Sequence, residues 1–228
     1  MTYMFIGGQW CDPASGETIS AICPSTGAEI DRIGAGNATD IDRAVTAARA
    51  ALEGDWGRMT ATERGRLLTA LGLKVLEHAD ELADIEARDA GKPISQARAD
   101  VGALARYCEY YGGAADKLHG ETLPYLNGYS ASVINEPYGV TGHITPWNYP
   151  AQMFGRSLAP SLAVGNATVM KPAEDACLSI RRVVELAQEV GFPSGAINLV
   201  TGLGESAGAA LAAHPGVDFI SFTGSPEA

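Results

Sequence analysis

Polar and apolar positions divide the chain into three stretches of different period. Residues 1–36 are turn-rich, with short β-like pieces at Tyr3–Ile6, Thr18–Cys23 and Glu29–Ile33 punctuated by Pro13, Gly16, Pro24 and Gly27. Residues 37–120 carry the helical period. One helix is predicted from about Thr39 to Leu52. A second opens with "TATE", Thr60–Glu63, which has the S/T-x-x-E form of a capping box. Leu68, Leu71, Val75, Ala79, Leu82 and Ala83 continue it at helical spacing, and Gly91 with Pro93 ends it. A third is predicted over Ser95–Tyr111, before Gly112-Gly113. In "LPYLNGYSASVI", Asn127-Gly128 separates two β-prone runs and predicts a hairpin with a type I′ turn.

From Tyr138 onward strands and helices alternate. The predicted strands are Val140–Thr145, Ala167–Met170, Ile197–Val200 and Phe219–Phe222. The clearest helix between them sets Ile180, Val183, Val184, Ala187 and Val190 on one face and stops at Gly191, before Pro193. This is βαβ spacing, and short apolar β-branched strands suit a parallel sheet covered on both faces. The fold class expected is α/β: a doubly wound, Rossmann-like parallel sheet with an N-terminal helical segment and a protruding β-hairpin. The expected boundaries are 1–120 for the N-terminal β pieces and helices, 121–137 for the hairpin and 138–228 for the nucleotide-binding segment. Ligands of such sheets bind beyond the carboxyl ends of the strands. "PWN", "KPAE", "TGLGES" and "TGS" should therefore gather at one edge.

Composition narrows the partners. The net charge of −11 argues against nucleic acid and against an anionic membrane surface. No apolar run is long enough to span a bilayer, and the N-terminus has no secretory pattern. Cys11, Cys23, Cys108 and Cys177 lie far apart, which reads as reduced thiols in a cytoplasmic protein. The four histidines are scattered without metal-ligand spacing, so no metal is expected.

Several residues carry possible chemistry. Pro146 and Pro150 stiffen the turn that holds Trp147 and Asn148. The Asn148 amide either donates to an oxygen that gains negative charge or bonds its own turn. Lys171 and Glu174 are either a ribose-binding pair or a surface ion pair of little worth. The glycine turns suit phosphate through backbone N–H groups, although no G-x-G-x-x-G is present. Cys177 opens a helix with no histidine near it in sequence, so a packing role is expected rather than a nucleophile. Cys108 and Trp56 read as packing residues and His143 as a structural histidine.

Taken together and in order, "ITPWNYP", "VMKPAE", "GFPSGAINLVTG" and "ISFTGS" resemble motifs of the NAD(P)-dependent aldehyde dehydrogenase superfamily. "WGRMTATERGRLL", "DAGKP" and "HGETLP" fit the same resemblance, which covers essentially the whole chain. It implies that Asn148 stabilises the oxyanion formed when a thiolate attacks an aldehyde. It implies that Ile144, Thr145, Pro146 and Trp147 line a cofactor cleft, and that Lys171 and Glu174 hold the adenosine ribose. Gly204 would let backbone approach the adenine side. Of the run Phe222, Thr223, Gly224 and Ser225, Thr223 would meet the nicotinamide and Ser225 the pyrophosphate. Glu174 implies NAD, with NADP possible. The hairpin resembles the arm through which such enzymes form homo-oligomers. Many relatives carry a lysine where Ser157 stands, so no specific aldehyde is implied.

The implied reaction is oxidation of a small-molecule aldehyde to its carboxylic acid through a thiohemiacetal. It needs a nucleophilic cysteine and a general-base glutamate. No motif for either is found before the last residues, "FTGSPEA". The chain is expected to stop inside the first turn of a helix, with one side of the last strand unpaired. The sequence thus reads as the N-terminal half of such an enzyme, inactive by itself, or as one completed by a second, catalytic chain. A short chain that binds a nucleotide or pairs with a partner without catalysis is the alternative. Acyl-CoA-forming relatives are a further possibility, against which "KPAE" favours the acid-forming branch.

Overall fold

The computed structural model describes residues 4–225; Tyr3, expected in the first strand, and the expected helical turn at Pro226–Ala228 lie outside them. Strands β1 (Met4–Ile6) and β2 (Gln9–Cys11) form a tight antiparallel pair, and β3 (Thr18–Ile22) and β4 (Glu29–Gly34) form a separate ladder. Helix α1 (Ala38–Glu53) starts where the Asn37 side chain accepts the Thr39 N–H at 2.9 Å and Asp40 accepts the Asn37 N–H at 3.2 Å. The short α2 (Asp55–Arg58) buries Trp56, whose Nε1 donates to the Asn166 carbonyl at 3.0 Å. Trp56 is the expected anchor, tying the helical half to the residue just ahead of the strand at Ala167–Pro172.

Helix α3 (Ala61–Glu77) has the predicted capping box, with Glu63 accepting the Thr60 N–H at 2.8 Å. The single helix expected from Thr60 to Gly91 is instead two. It breaks at His78 (φ −105, ψ 19), and α4 (Ala79–Ala90) follows. His78 Nδ1 lies 2.7 Å from Glu81 Oε2 at the new start. One residue out of helical geometry hardly disturbs an i, i+3, i+4 pattern, so periodicity runs through the break. Gly91 ends α4 in the left-handed region at φ +68, as its place before Pro93 predicts. Helix α5 (Ile94–Ala114) follows.

The hairpin also differs from expectation. Strands β5 (Glu121–Leu123) and β6 (Ala131–Val133) pair Leu123 with Ala131, so residues 124–130 form the connection rather than two residues. Within it the Tyr129 N–H donates to the Leu126 carbonyl at 3.1 Å. Gly128 has φ +87, but among the described residues positive φ occurs only at glycines. Asn127 therefore does not meet the type I′ requirement, and glycine at the third position fits a type II turn.

The remaining elements are β7 (Val140–Thr145), α6 (Pro150–Ala163), β8 (Ala167–Pro172), α7 (Leu178–Val190), β9 (Ile197–Leu199), a π-type turn at Gly204–Gly208, α8 (Ala209–Ala213) and β10 (Phe219–Phe222). Strands β10, β7, β8 and β9 are neighbours in that order and parallel. The sheet is mixed, because β1 and β2 add an antiparallel edge to β9 through Phe5 and Leu199. Helices α6 and α7 cover one face and α1 with α8 the other, which is the doubly wound arrangement. Helices α3, α4 and α5 pack on α6 and α7 as an outer layer. The core is continuous across these layers, with Phe154, Leu158, Met170 and Val183 fully buried at its centre. Among the described residues no helix is long and apolar enough to cross a membrane.

Candidate functional site

The chain steps from β7 to β8 to β9 in one direction, then returns to place β10 on the other side of β7. The direction of winding reverses between β7 and β10, and such a reversal opens a crevice beyond the strand ends. The "PWN" turn follows β7 and the "TGS" turn follows β10, so both meet there. The Thr223 N–H donates to the Ile144 carbonyl at 3.0 Å and locks the two strand ends together.

The third strand end adds the charged pair. Ile144 is the register partner of Lys171, and Thr145 that of Pro172. Strand β8 runs two residues beyond the expected Met170, which draws Lys171 into the sheet and leaves its side chain 3% exposed. Its Nζ lies 2.9 Å from Glu174 Oε2, and Glu174 is only partly buried. Burial resists ionisation of Glu174. The Lys171 ammonium and backbone N–H groups, including that of Gly204, outweigh it and hold the carboxyl below its ordinary range. Gly204, at the start of the π-type turn after β9, is thereby brought to the same place. Nothing lies within 4 Å of where a Gly204 side chain would begin.

Four separate segments thus converge on one edge. Ile144 and Pro146 are half-buried; Trp147, Asn148, Gly204, Phe222, Thr223, Gly224 and Ser225 are exposed. Thr145 is buried, and its Oγ1 has no hydrogen-bond partner. The Phe222 ring lies where a side chain at Gly224 would begin, with Cζ at 2.5 Å. Asn148 stands just ahead of α6, with Pro150 as that helix's first residue. The turn's hydrogen bonds run through other groups: the Met153 N–H donates to the Tyr149 carbonyl at 2.9 Å and the Ala151 N–H to Glu86 at 3.1 Å.

The cysteines do not join this edge as nucleophiles. Cys23, Cys108 and Cys177 are buried and Cys11 partly so. Burial pushes the Cys108 thiol up to about 12 and raises that of Cys177 as well. Among the described residues no group of acidic, histidine and cysteine side chains is arranged to hold a metal. His143 is a buried structural histidine as expected, with Nε2 2.9 Å from Thr141 Oγ1.

The aldehyde dehydrogenase family description matches residues 10–228. The chain belongs to the aldehyde dehydrogenase family. It is 47% identical over 224 residues to hydroxyisobutyraldehyde dehydrogenase of Mycolicibacterium austroafricanum, covering 98% of this chain and 44% of that protein. A crystal structure of a Burkholderia cenocepacia protein assigned to the aldehyde dehydrogenases superimposes with a TM-score of 0.98 at 61% identity, covering 99% of this chain and 47% of that one. Betaine aldehyde dehydrogenase of Staphylococcus aureus, solved in complex with NAD+, gives a TM-score of 0.97 at 38% identity over 100% of this chain and 46% of its own. The chain therefore spans about half the length of the relatives it matches.

One feature next to the site escapes sequence reasoning. Glu86, Lys92 and Asp100 meet beneath the "PWN" turn. The signal was present as a carboxylate at position 86 on the apolar face of α4, with Leu82 and Ala83.

Proposed function

We propose that these residues form the cofactor-binding half of an enzyme that oxidises an aldehyde to its carboxylic acid with NAD+. The observation that carries the reading is the convergence, at the reversal between β7 and β10, of the Asn148 turn, the Lys171–Glu174 pair and the Gly204 N–H. The residues fit a dinucleotide. The ionised Glu174 accepts ribose hydroxyls, Lys171 orients that carboxylate, and the open Gly204 backbone permits close approach of a flat ring. Ile144, Pro146 and Trp147 wall the crevice, Thr145 offers a hydroxyl not bonded elsewhere, and the "FTGS" turn offers backbone N–H groups to pyrophosphate and nicotinamide. Bound NAD+ supplies the hydride acceptor. Asn148 donates its amide N–H groups to the oxygen that becomes negative when the aldehyde carbon is attacked. A carboxylate at Glu174 repels a 2′-phosphate, which favours NAD over NADP.

The attacking thiolate and the general base are assigned to residues outside this chain. Burial resists ionisation of Cys108, Cys177 and Cys11. Cys23, whose thiol is held low by hydrogen bonding to Thr26, lies on the connection between β3 and β4, which is not among the segments that meet at the Asn148 edge. The isolated 228 residues turn over no aldehyde, and the nucleophile comes from the rest of a longer protein or from a complementing chain. The unpaired cysteines fit a reducing, cytoplasmic setting.

Replacing Asn148 by alanine in the complete enzyme tests the assignment. Loss of one oxyanion donor lowers kcat by about 100- to 1,000-fold, with NAD+ affinity unchanged. An unaltered kcat would show that Asn148 has another role.

A further inference from the structure

Asn148 is exposed and sits on a connection of only four residues between β7 and α6. An oxyanion donor is useful only if its amide is held in place before the charge develops. Two prolines restrict the backbone, but they do not fasten the turn to the rest of the molecule.

The fastening comes from a buried ion cluster in the helical half. Lys92 Nζ bonds Glu86 Oε1 at 2.9 Å and Asp100 Oδ2 at 2.7 Å, and Gln96 Nε2 donates to Asp100 Oδ1 at 3.0 Å. The side chains of Glu86, Asp100 and Lys92 are 0%, 3% and 9% exposed. A cluster this deep costs desolvation and needs every member satisfied. Two of its contacts leave the cluster for the turn. Glu86 Oε2 accepts the Ala151 N–H at 3.1 Å, one of the free donors in the first turn of α6. The Lys92 ammonium lies 4.9 Å from the centre of the Tyr149 ring. Asn148 immediately precedes that tyrosine and stands three residues ahead of Ala151. Glu86 Oε2 also accepts the Ser179 hydroxyl at 3.1 Å, which fixes the carboxylate against α7.

The far end of α6 is held in the complementary sense. Arg64 Nε donates to the Ala163 carbonyl at 3.2 Å, so a carboxylate faces the helix start and a guanidinium its end. The helix behind Asn148 is clamped at both termini by side chains of α3 and α4.

We propose that the Glu86–Lys92–Asp100 cluster is a positioning device for Asn148, holding the 146–151 turn through the Ala151 N–H and the Tyr149 ring. The proposal rests on the oxyanion role given to Asn148 above. All three side chains are buried behind the turn, so they act on the site through the turn that carries the asparagine. The "DAGKP" segment then has a catalytic consequence as well as a role in ending α4.

The test is a double-mutant cycle in the complete enzyme, with kcat, aldehyde KM and a separate NAD+ binding titration as readouts. Lys92→Gln keeps donors for one carboxylate but removes the cation over Tyr149. It is expected to lower kcat by about 10-fold or more, the effect of a displaced catalytic group, with NAD+ affinity unchanged. In an Asn148→Ala background the same substitution should change kcat less than twofold, because the group it positions is gone. Tyr149→Leu, at an exposed position, removes the other half of the contact without disturbing the buried charges. It should give the same non-additivity, and it serves if Lys92→Gln does not fold. If Asn148→Ala lowers kcat yet both substitutions retain their full effect in its background, the cluster does not act through Asn148 and the proposal fails. If Asn148→Ala leaves kcat unchanged, the oxyanion reading fails first and the proposal with it.

Discussion

Lys171 and Glu174 are bonded at 2.9 Å but unequally placed, the lysine side chain 3% exposed and the glutamate 26%. The lysine stands inside β8, whereas the glutamate lies on the turn beyond it. The buried ammonium therefore aims the carboxylate, which remains partly open to solvent beyond the strand end. Glu174→Gln removes the charge while keeping the shape. It is expected to weaken NAD+ binding by about 1.5 kcal/mol, roughly tenfold, and to narrow the gap between NAD+ and NADP+. A dinucleotide titration of both cofactors checks this; unchanged NAD+ affinity would remove Glu174 from the ribose.

The hairpin bears largely exposed apolar side chains. Tyr129 and Ile134 are 73% and 77% exposed, and a two-stranded hairpin alone is marginally stable in water. We expect it to pack against a second copy in the complete protein. Tyr129→Asp with Ile134→Asp should weaken self-association by at least about 30-fold, since a buried aromatic anchor such as Tyr129 carries about 2 kcal/mol or more. Sedimentation velocity would reveal the shift to smaller species; an unchanged distribution would place the contact elsewhere.

His143 predicts a dependence of stability on pH. Burial lowers its pKa from 6.5 to about 4. Between those values the unfolded chain binds a proton that the folded chain refuses, so stability attributable to His143 is present above pH 6.5 and falls as pH drops towards 4. The loss approaches about 3 kcal/mol. His143→Gln retains a donor towards Thr141 and does not titrate. Urea melts at pH 7 and pH 4.5 should show the wild type losing ground to the variant at the lower pH.

Two helix-ending glycines separate strain from collision. Both are left-handed, Gly91 at φ +68 and Gly191 at φ +95. A side chain at Gly91 would begin 2.5 Å from Pro24 Cγ, whereas nothing lies within 4 Å at Gly191. Gly191→Ala should cost about 1 kcal/mol from conformation alone, and Gly91→Ala about 1–3 kcal/mol more from overpacking. Thermal melts of the two variants decide it; equal losses would show that Pro24 yields freely.

Much of this was legible in order along the chain. The four parallel strands follow from short β-branched runs at βαβ spacing, and the rule that ligands gather beyond strand ends placed "PWN", "KPAE", "TGLGES" and "TGS" together. Thr60 and Glu63 announced a helix start, and Gly91 and Gly191 announced two ends, because caps are local. What failed was not local. The break at His78 leaves periodicity intact while letting α4 pack on α7. Asn127-Gly128 lacked the register to be a two-residue turn, since Leu123 pairs with Ala131. Strands β1 and β2, of three residues each, join the sheet through contacts almost two hundred positions away in sequence.

The sequence by itself determined the family, the doubly wound class of the sheet and which turns gather at its edge, because these depend on periodicity, turn residues and ordered motifs. Only the tertiary structure decided that Lys171 is buried and Glu174 is not, that the Gly204 backbone comes up beside that carboxylate, and that Glu86 and Lys92 reach the Asn148 turn. Those are matters of register and of charges meeting across layers. A single chain records each partner, but the low dielectric and fixed distances that join them arise only when the layers close.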